Sequence, residues 1–157
     1  MTLISRSIAL NTPLETQSLA RHLAPVLRQG DVMLLEGPIG AGKTHFARSL
    51  IQALLPVPED VPSPTFTLVQ VYDGSNTEIW HADLYRLSAP DEVVELGLTD
   101  AFEDAICLVE WPDRLADLAP ENALKMSLKL LEGEGQRQLT VSSTSERWKP
   151  IIKALSK

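Results

Sequence analysis

One stretch restricts the fold of this chain more than any other. Glu36-Gly37-Pro38-Ile39-Gly40-Ala41-Gly42-Lys43-Thr44 sets Gly37, Gly42, Lys43 and Thr44 in the pattern G-x-x-x-x-G-K-[ST]. Four apolar residues, Val32 to Leu35, precede it and read as a buried strand. Phe46, Ala47, Leu50, Ile51 and Leu54 follow at helical spacing. Strand, glycine-rich loop and helix in that order describe a phosphate-binding P-loop. Glycines let the backbone turn tightly, so several N–H groups point into one cavity. The helix adds its unpaired N–H groups and the positive end of its dipole. In such a loop Lys43 reaches the β- and γ-phosphates, and the Thr44 hydroxyl ligates Mg²⁺. A chance match in a glycine-containing turn is the bland alternative, and the flanking strand and helix disfavour it.

The 157 residues suit one domain, over residues 1–157, long enough to bury a substantial core. The net charge of −7 makes the chain a poor candidate for gripping RNA or DNA unaided, because such affinity rests on basic groups that neutralise phosphates. Any nucleic acid is expected to be held by a partner. The single cysteine, Cys107, excludes an internal disulfide and fits a cytoplasmic location. It lies within Ile106-Cys107-Leu108-Val109 and reads as a buried strand thiol. The N-terminus lacks the pattern of a secretory leader, and no apolar run approaches membrane-spanning length, so no membrane association is expected.

Read in order, Ser5 to Leu10 is a strand, and Leu14 to Leu27 forms a helical pattern that ends near Gly30. The proline-dense stretch from Pro56 to Pro64 is an ordered loop. Thr65 to Tyr72 and Thr77 to Ala82 read as a hairpin around Asp73-Gly74-Ser75-Asn76. Short helices at Asp91 to Leu96 and Thr99 to Asp104 are split by Gly97, and another follows at Asp113 to Leu118. Ala123 to Leu131 and Gln138 to Ser142 form a second hairpin, and Ser145 is placed to cap a C-terminal helix. This alternation predicts an α/β domain: a mixed, mainly parallel sheet between helices, with added antiparallel hairpins.

A P-loop requires a carboxylate on a neighbouring buried strand to steady Mg²⁺. Ile106 to Val109 ends in Glu110, which is therefore the candidate, although an acid at this place also simply marks a strand end. The next residue is Trp111, so a second carboxylate must come from elsewhere. In His81-Ala82-Asp83-Leu84-Tyr85-Arg86, alternation along an extended chain puts His81, Asp83 and Tyr85 on one face. That face reads either as a polar group near a phosphate or as a solvated strand end. Ser63-Pro64-Thr65-Phe66 reads either as a γ-phosphate switch or as a capped strand start.

These segments together resemble the TsaE (YjeE) family of bacterial ATPases. The resemblance is carried by Gly37 to Thr44, Ser63-Pro64-Thr65-Phe66, H-x-D-x-Y-R at His81 to Arg86, Glu95-x-Gly97-Leu98 and Leu108-Val109-Glu110-Trp111-Pro112, in order, from about Leu10 to Ser142. It implies an ATP-binding and hydrolysing accessory protein for N6-threonylcarbamoyladenosine formation in tRNAs that read codons beginning with A. Such a protein acts on a complex of TsaB and TsaD homologues and meets tRNA only through that complex. By position, the resemblance implies that Gly37 and Gly40, Ala41, Gly42, Lys43 and Thr44 hold ATP or ADP. Thr44 and Glu110 would hold Mg²⁺, Asp83 would be a catalytic or metal-proximal acid, and Thr65 would lie at the switch. Trp111 would border the site, with further nucleotide contacts from Thr12, Pro13 and Arg137.

Other P-loop classes fit less well. A small-molecule kinase brings several arginines over the transferred phosphoryl, and none of the eight arginines here falls in a clustered lid segment. A regulatory GTPase carries an N-K-x-D motif, which this sequence lacks. A module that binds nucleotide without turnover is the third alternative.

Overall fold

The structure is a computed structural model that describes residues 2–57, 59–64 and 67–155. Its strands are β1 (Ile4–Leu10), β2 (Val32–Glu36), β3 (Val69–Asp73), β4 (Glu78–Asp83), β5 (Ile106–Glu110), β6 (Leu124–Leu130) and β7 (Arg137–Ser143). Its α-helices are α1 (Pro13–Leu23), α2 (Lys43–Leu54), α3 (Asp91–Glu95), α4 (Leu98–Asp104) and α5 (Lys149–Ala154). The strands form one sheet in the order β1-β7-β6-β2-β5-β4-β3. β6, β2, β5 and β4 run parallel in its centre, and β1, β7 and β3 are antiparallel to their neighbours.

The sequence pattern explains that order. β2 and β5 are apolar at almost every position, as strands covered on two faces must be. Met33, Leu35 and Leu108 pack against Phe46, Leu50 and Ile51 of α2 and against Ala20 and Leu23 of α1. Val32, Leu34, Cys107 and Val109 point the other way, toward Val93, Leu98, Ala101 and Leu115. Burying a side chain such as Leu50 or Ile51 contributes about 1.5–3 kcal/mol, and α2 commits both fully. The result is an α/β sandwich, with α1, α2 and α5 on one face and α3 and α4 on the other.

Three expected elements differ. Asp113 to Leu118, expected as a helix, lies in a 3₁₀ segment, Pro112–Leu118, that is broken at Ala116, where φ is 49° and ψ −124°. β3 starts at Val69, later than Thr65, because Leu68 N–H turns back to the Pro64 carbonyl at 2.7 Å with Leu68 at φ 69°. Thr65 and Phe66, part of the expected switch, lie outside the described residues. At the C-terminus Ser145 accepts a hydrogen bond from Arg147 N–H in a turn, and the helix starts only at Lys149. Trp148 sets that start: its ring is buried, and its indole N–H donates to the Asn122 carbonyl at 3.0 Å. Pro150 then falls in the first turn of α5, where a missing N–H costs nothing. Arg147 beside it pairs with Asp31 at 2.7 Å and so ties the chain end to the start of β2.

Because β2 lies between β5 and β6, the chain crosses it on passing from β5 to β6, and the loops after β2, β4 and β5 meet at the carboxyl ends of the strands. That is where open α/β sheets bind ligands. Among the described residues, no helix is long and apolar enough to cross a membrane.

Cys107 on β5 is fully buried, and burial pushes its thiol up to about 12. Since the thiolate is the reactive form, the native protein is expected to resist iodoacetamide at pH 8 and to alkylate once unfolded in guanidinium. Mass spectrometry of the two samples checks this. Rapid stoichiometric labelling of the native protein would show that β5 is not the covered central strand.

Candidate functional site

The loop between β2 and α2 is shaped by its glycines. Gly37 has φ 146°, and a Cβ there would stand 2.6 Å from the Leu128 carbonyl of β6. Gly42, at φ 105°, turns the chain into α2, whose first bond runs from Phe46 N–H to the Gly42 carbonyl at 2.9 Å. The loop is thus wrapped against a strand from late in the sequence. Arg137, the first residue of β7, holds it from outside by donating to the carbonyls of Ala41 at 2.9 Å and Gly40 at 3.1 Å.

Lys43 is only 5 % exposed. Its ammonium donates to the carbonyls of Gly37 and Pro38 and stands 3.8 Å from the centre of the Trp111 ring. Burial holds it below the usual lysine range, and the carboxylates of Glu110, Asp83 and Asp113 oppose that shift. Trp111 reaches this position through an unusual backbone. It sits at φ 59°, a left-handed conformation that costs a non-glycine residue about 1–3 kcal/mol. The Tyr85 ring lies 4.9 Å from Trp111 and extends the aromatic wall.

The two candidate acids come from adjacent parallel strands. Asp83 ends β4 and Glu110 ends β5, and they are partners in register. Glu110, 2 % exposed, accepts a hydrogen bond from the Thr44 hydroxyl, at 2.9 and 3.1 Å to its two oxygens. Asp83 accepts the Tyr85 backbone N–H at 3.1 Å and is 5 % exposed.

A cavity of about 440 Å³ is lined by Gly40, Gly42, Lys43, Thr44, Asp83 and Glu110, with Tyr85 and Trp111 forming its aromatic side. On the other side of the loop, a cavity of about 220 Å³ brings Thr12 and Pro13 together with Ala41, Gly42 and Arg137. The two sets of residues singled out in the sequence are therefore neighbours across one loop. Thr12 caps α1 through its hydroxyl, which accepts Glu15 N–H at 3.2 Å. A larger cavity of about 500 Å³ lies at the opposite end of the sheet, near the Gly74–Thr77 turn, and no carboxylate lines it among the described residues.

Two histidines escaped the sequence reading in these roles. His45 lines both cavities by the loop and hydrogen-bonds the Pro13 carbonyl at 3.1 Å; its sequence signal was only its place next to Thr44. His81 was placed on the Asp83 face, and its contact with Glu110 at 2.7 Å depends on strand register.

As a Mg²⁺ site, the donor set is chemically apt. Thr44 and Glu110 offer hard oxygens within hydrogen-bond distance of each other, and Mg²⁺ takes one or two protein oxygens beside phosphate and water. No cluster of three or more His, Cys, Asp or Glu suited to a fully protein-bound metal occurs among the described residues.

Comparison with known proteins agrees with this architecture. The profile of the family described as threonylcarbamoyl adenosine biosynthesis protein TsaE matches residues 10–139. The tRNA threonylcarbamoyladenosine biosynthesis protein TsaE of Rickettsia felis is 37 % identical over 88 % of this chain and 81 % of its own length. The protein of the same name from Bacillus subtilis is 34 % identical over 92 % of this chain and 90 % of its own. The crystal structure of Bacillus subtilis YdiB superposes with a TM-score of 0.81 at 28 % identity, covering 98 % of this chain and 95 % of that one. A matched profile over most of the chain, relatives aligned nearly end to end and a shared fold place this chain in the TsaE family.

Proposed function

We propose that this protein binds and hydrolyses ATP with Mg²⁺ in the cytoplasm, in support of N6-threonylcarbamoyladenosine formation in tRNAs that read codons beginning with A. The observation that carries the reading is the Thr44–Glu110 hydrogen bond, which joins the phosphate loop of β2 to the acidic end of β5. The role in tRNA modification follows from the family. TsaB and TsaD homologues are the partners on which the protein acts. Its net charge of −7 suits a protein that meets tRNA only through such a complex.

In this mechanism the loop N–H groups and Lys43 bind the β- and γ-phosphates. Thr44 and Glu110 would hold Mg²⁺, which would supply positive charge against the phosphate oxygens. Asp83, on the neighbouring strand end, orients the water that attacks the γ-phosphorus as the bond to the bridging oxygen of ADP breaks. Trp111 and Tyr85 wall the cavity and limit access of bulk water. Thr12, Pro13 and Arg137 contact the nucleotide from the far side of the loop, and Thr65 belongs to the segment that responds to the γ-phosphate. A kinase reading is weaker, because among the described residues no arginine lines the cavity that holds Lys43, Asp83 and Glu110.

Lys43→Ala is expected to weaken ATP binding by roughly 10- to 150-fold, the loss of one hydrogen bond to a charged group. Among the described residues its ammonium contacts loop carbonyls and the Trp111 face, so the thermal melt should change little. Calorimetry showing equal affinity in a folded variant would remove the site.

For Glu110→Gln, the Mg²⁺ concentration that half-saturates nucleotide binding should rise while Mg²⁺-free binding is retained. Coincident Mg²⁺ titrations for variant and wild type would place Glu110 away from the metal.

The lone protein is expected to release phosphate slowly and to be accelerated by TsaB and TsaD homologues, since groups supplied in trans contribute up to roughly 10³–10⁵ in rate. Asp83→Ala should abolish the accelerated rate. Fast turnover by the lone protein, unchanged by partners, would refute the docking role. Equal rates for Asp83→Ala and wild type in the complex would remove Asp83 from the mechanism.

A further inference from the structure

The buried imidazole of His81 has no part in the mechanism above. Its ring is fully buried on β4, and Nε2 lies 2.7 Å from Oε2 of Glu110. Nδ1 has no hydrogen-bond partner among the described residues. A histidine kept only for packing would be an expensive choice here, since an apolar side chain of similar size would leave no buried polar atom without a partner. What the imidazole adds is a single directed N–H at one carboxylate oxygen.

Glu110 has a specific need for such a contact. Thr44 Oγ1 is 2.9 Å from Oε1 and 3.1 Å from Oε2, so the hydroxyl alone barely distinguishes the two oxygens. Glutamate also has one more rotatable bond than the aspartate usual at this place in P-loop proteins. Lys43 is close enough for its charge to interact with Glu110, and it offers the carboxylate another direction in which to turn. A hydrogen bond from β4 to Oε2 fixes the last torsion and selects which oxygen faces the Thr44 side. The register favours this: His81 pairs with Leu108 and Asp83 with Glu110, so His81 and Glu110 are diagonal neighbours on one face of the sheet.

We propose that His81 is a positioning residue, whose Nε2–H holds the Glu110 carboxylate in the orientation that shares a Mg²⁺ ion with Thr44. This rests on the reading of Thr44 and Glu110 as the metal ligands. Partners that orient a metal-binding carboxylate typically contribute 10–100-fold in metal affinity.

The test is ADP binding by calorimetry across a Mg²⁺ titration and in EDTA, for wild type, His81→Leu and His81→Gln, with a thermal melt of each. His81→Leu is expected to need roughly 10-fold or more Mg²⁺ for half-maximal tightening, with its affinity in EDTA unchanged. His81→Gln, whose amide N–H can reach the same oxygen, should recover part of that loss. Superimposable Mg²⁺ curves for folded His81→Leu and wild type would overturn the proposal, as would equal losses in EDTA and in Mg²⁺. Should His81→Leu fail to fold, ¹⁵N NMR of the wild-type histidines decides. A protonated His81 Nε2 whose resonance moves on adding Mg²⁺ with ADP supports the role, and an unprotonated or unmoved Nε2 refutes it. Wild type that fails to bind ADP would instead defeat the nucleotide reading, a result distinguishable because it needs no variant.

Discussion

The Glu110 carboxylate is the constraint around which this molecule is arranged. It ends a fully buried strand and is 2 % exposed. An ionised carboxylate in such surroundings is strongly destabilising unless it is hydrogen-bonded. Thr44 approaches it from the first turn of α2 and His81 from β4, so one side chain joins three elements. The sheet order follows the same logic: β5 must stand between β4 and β2 for both partners to reach it.

The cationic groups of the site are also partnered by the loop itself. Lys43 donates to the carbonyls of Gly37 and Pro38, and Arg137 to those of Gly40 and Ala41. In the proposed mechanism, phosphate binding would be an exchange of acceptors, in which loop carbonyls give up a donor that phosphate oxygens gain. The net affinity is then smaller than the gross strength of the new contacts, as for most hydrogen bonds formed at the expense of others. The Trp111 face is a further partner of Lys43.

Much of this was legible in the sequence because it is local. The loop and the apolar strand before it announce themselves within a few residues, and the acid at the end of β5, 66 positions after Thr44, is marked by the apolar run just before it. Asp83 was legible as a candidate because alternation along a strand is a local property. Its register match to Glu110 was not, since register depends on how β4 and β5 pair. The His81–Glu110 contact was hidden for the same reason. The late start of α5 depends on where Trp148 is buried and on the distant partners Asp31 and Asn122. Ser145 followed the usual rule for helix caps, but these tertiary contacts decided the boundary.

The close approach of Gly37 to Leu128 and the grip of Arg137 on Ala41 also fix an order in time. Arg137 and Ala41 are 96 residues apart in the chain. A ribosome adding roughly 5–20 residues per second needs on the order of 5–20 s to cover that distance. During that interval the glycine-rich loop exists as sequence, but the strand that moulds it and the guanidinium that clasps it have not been made. Long-range pairings of this kind are also the slow ones to form. The phosphate loop is thus early in translation and late in assembly, and a nascent chain released before β7 would carry the motif without the site.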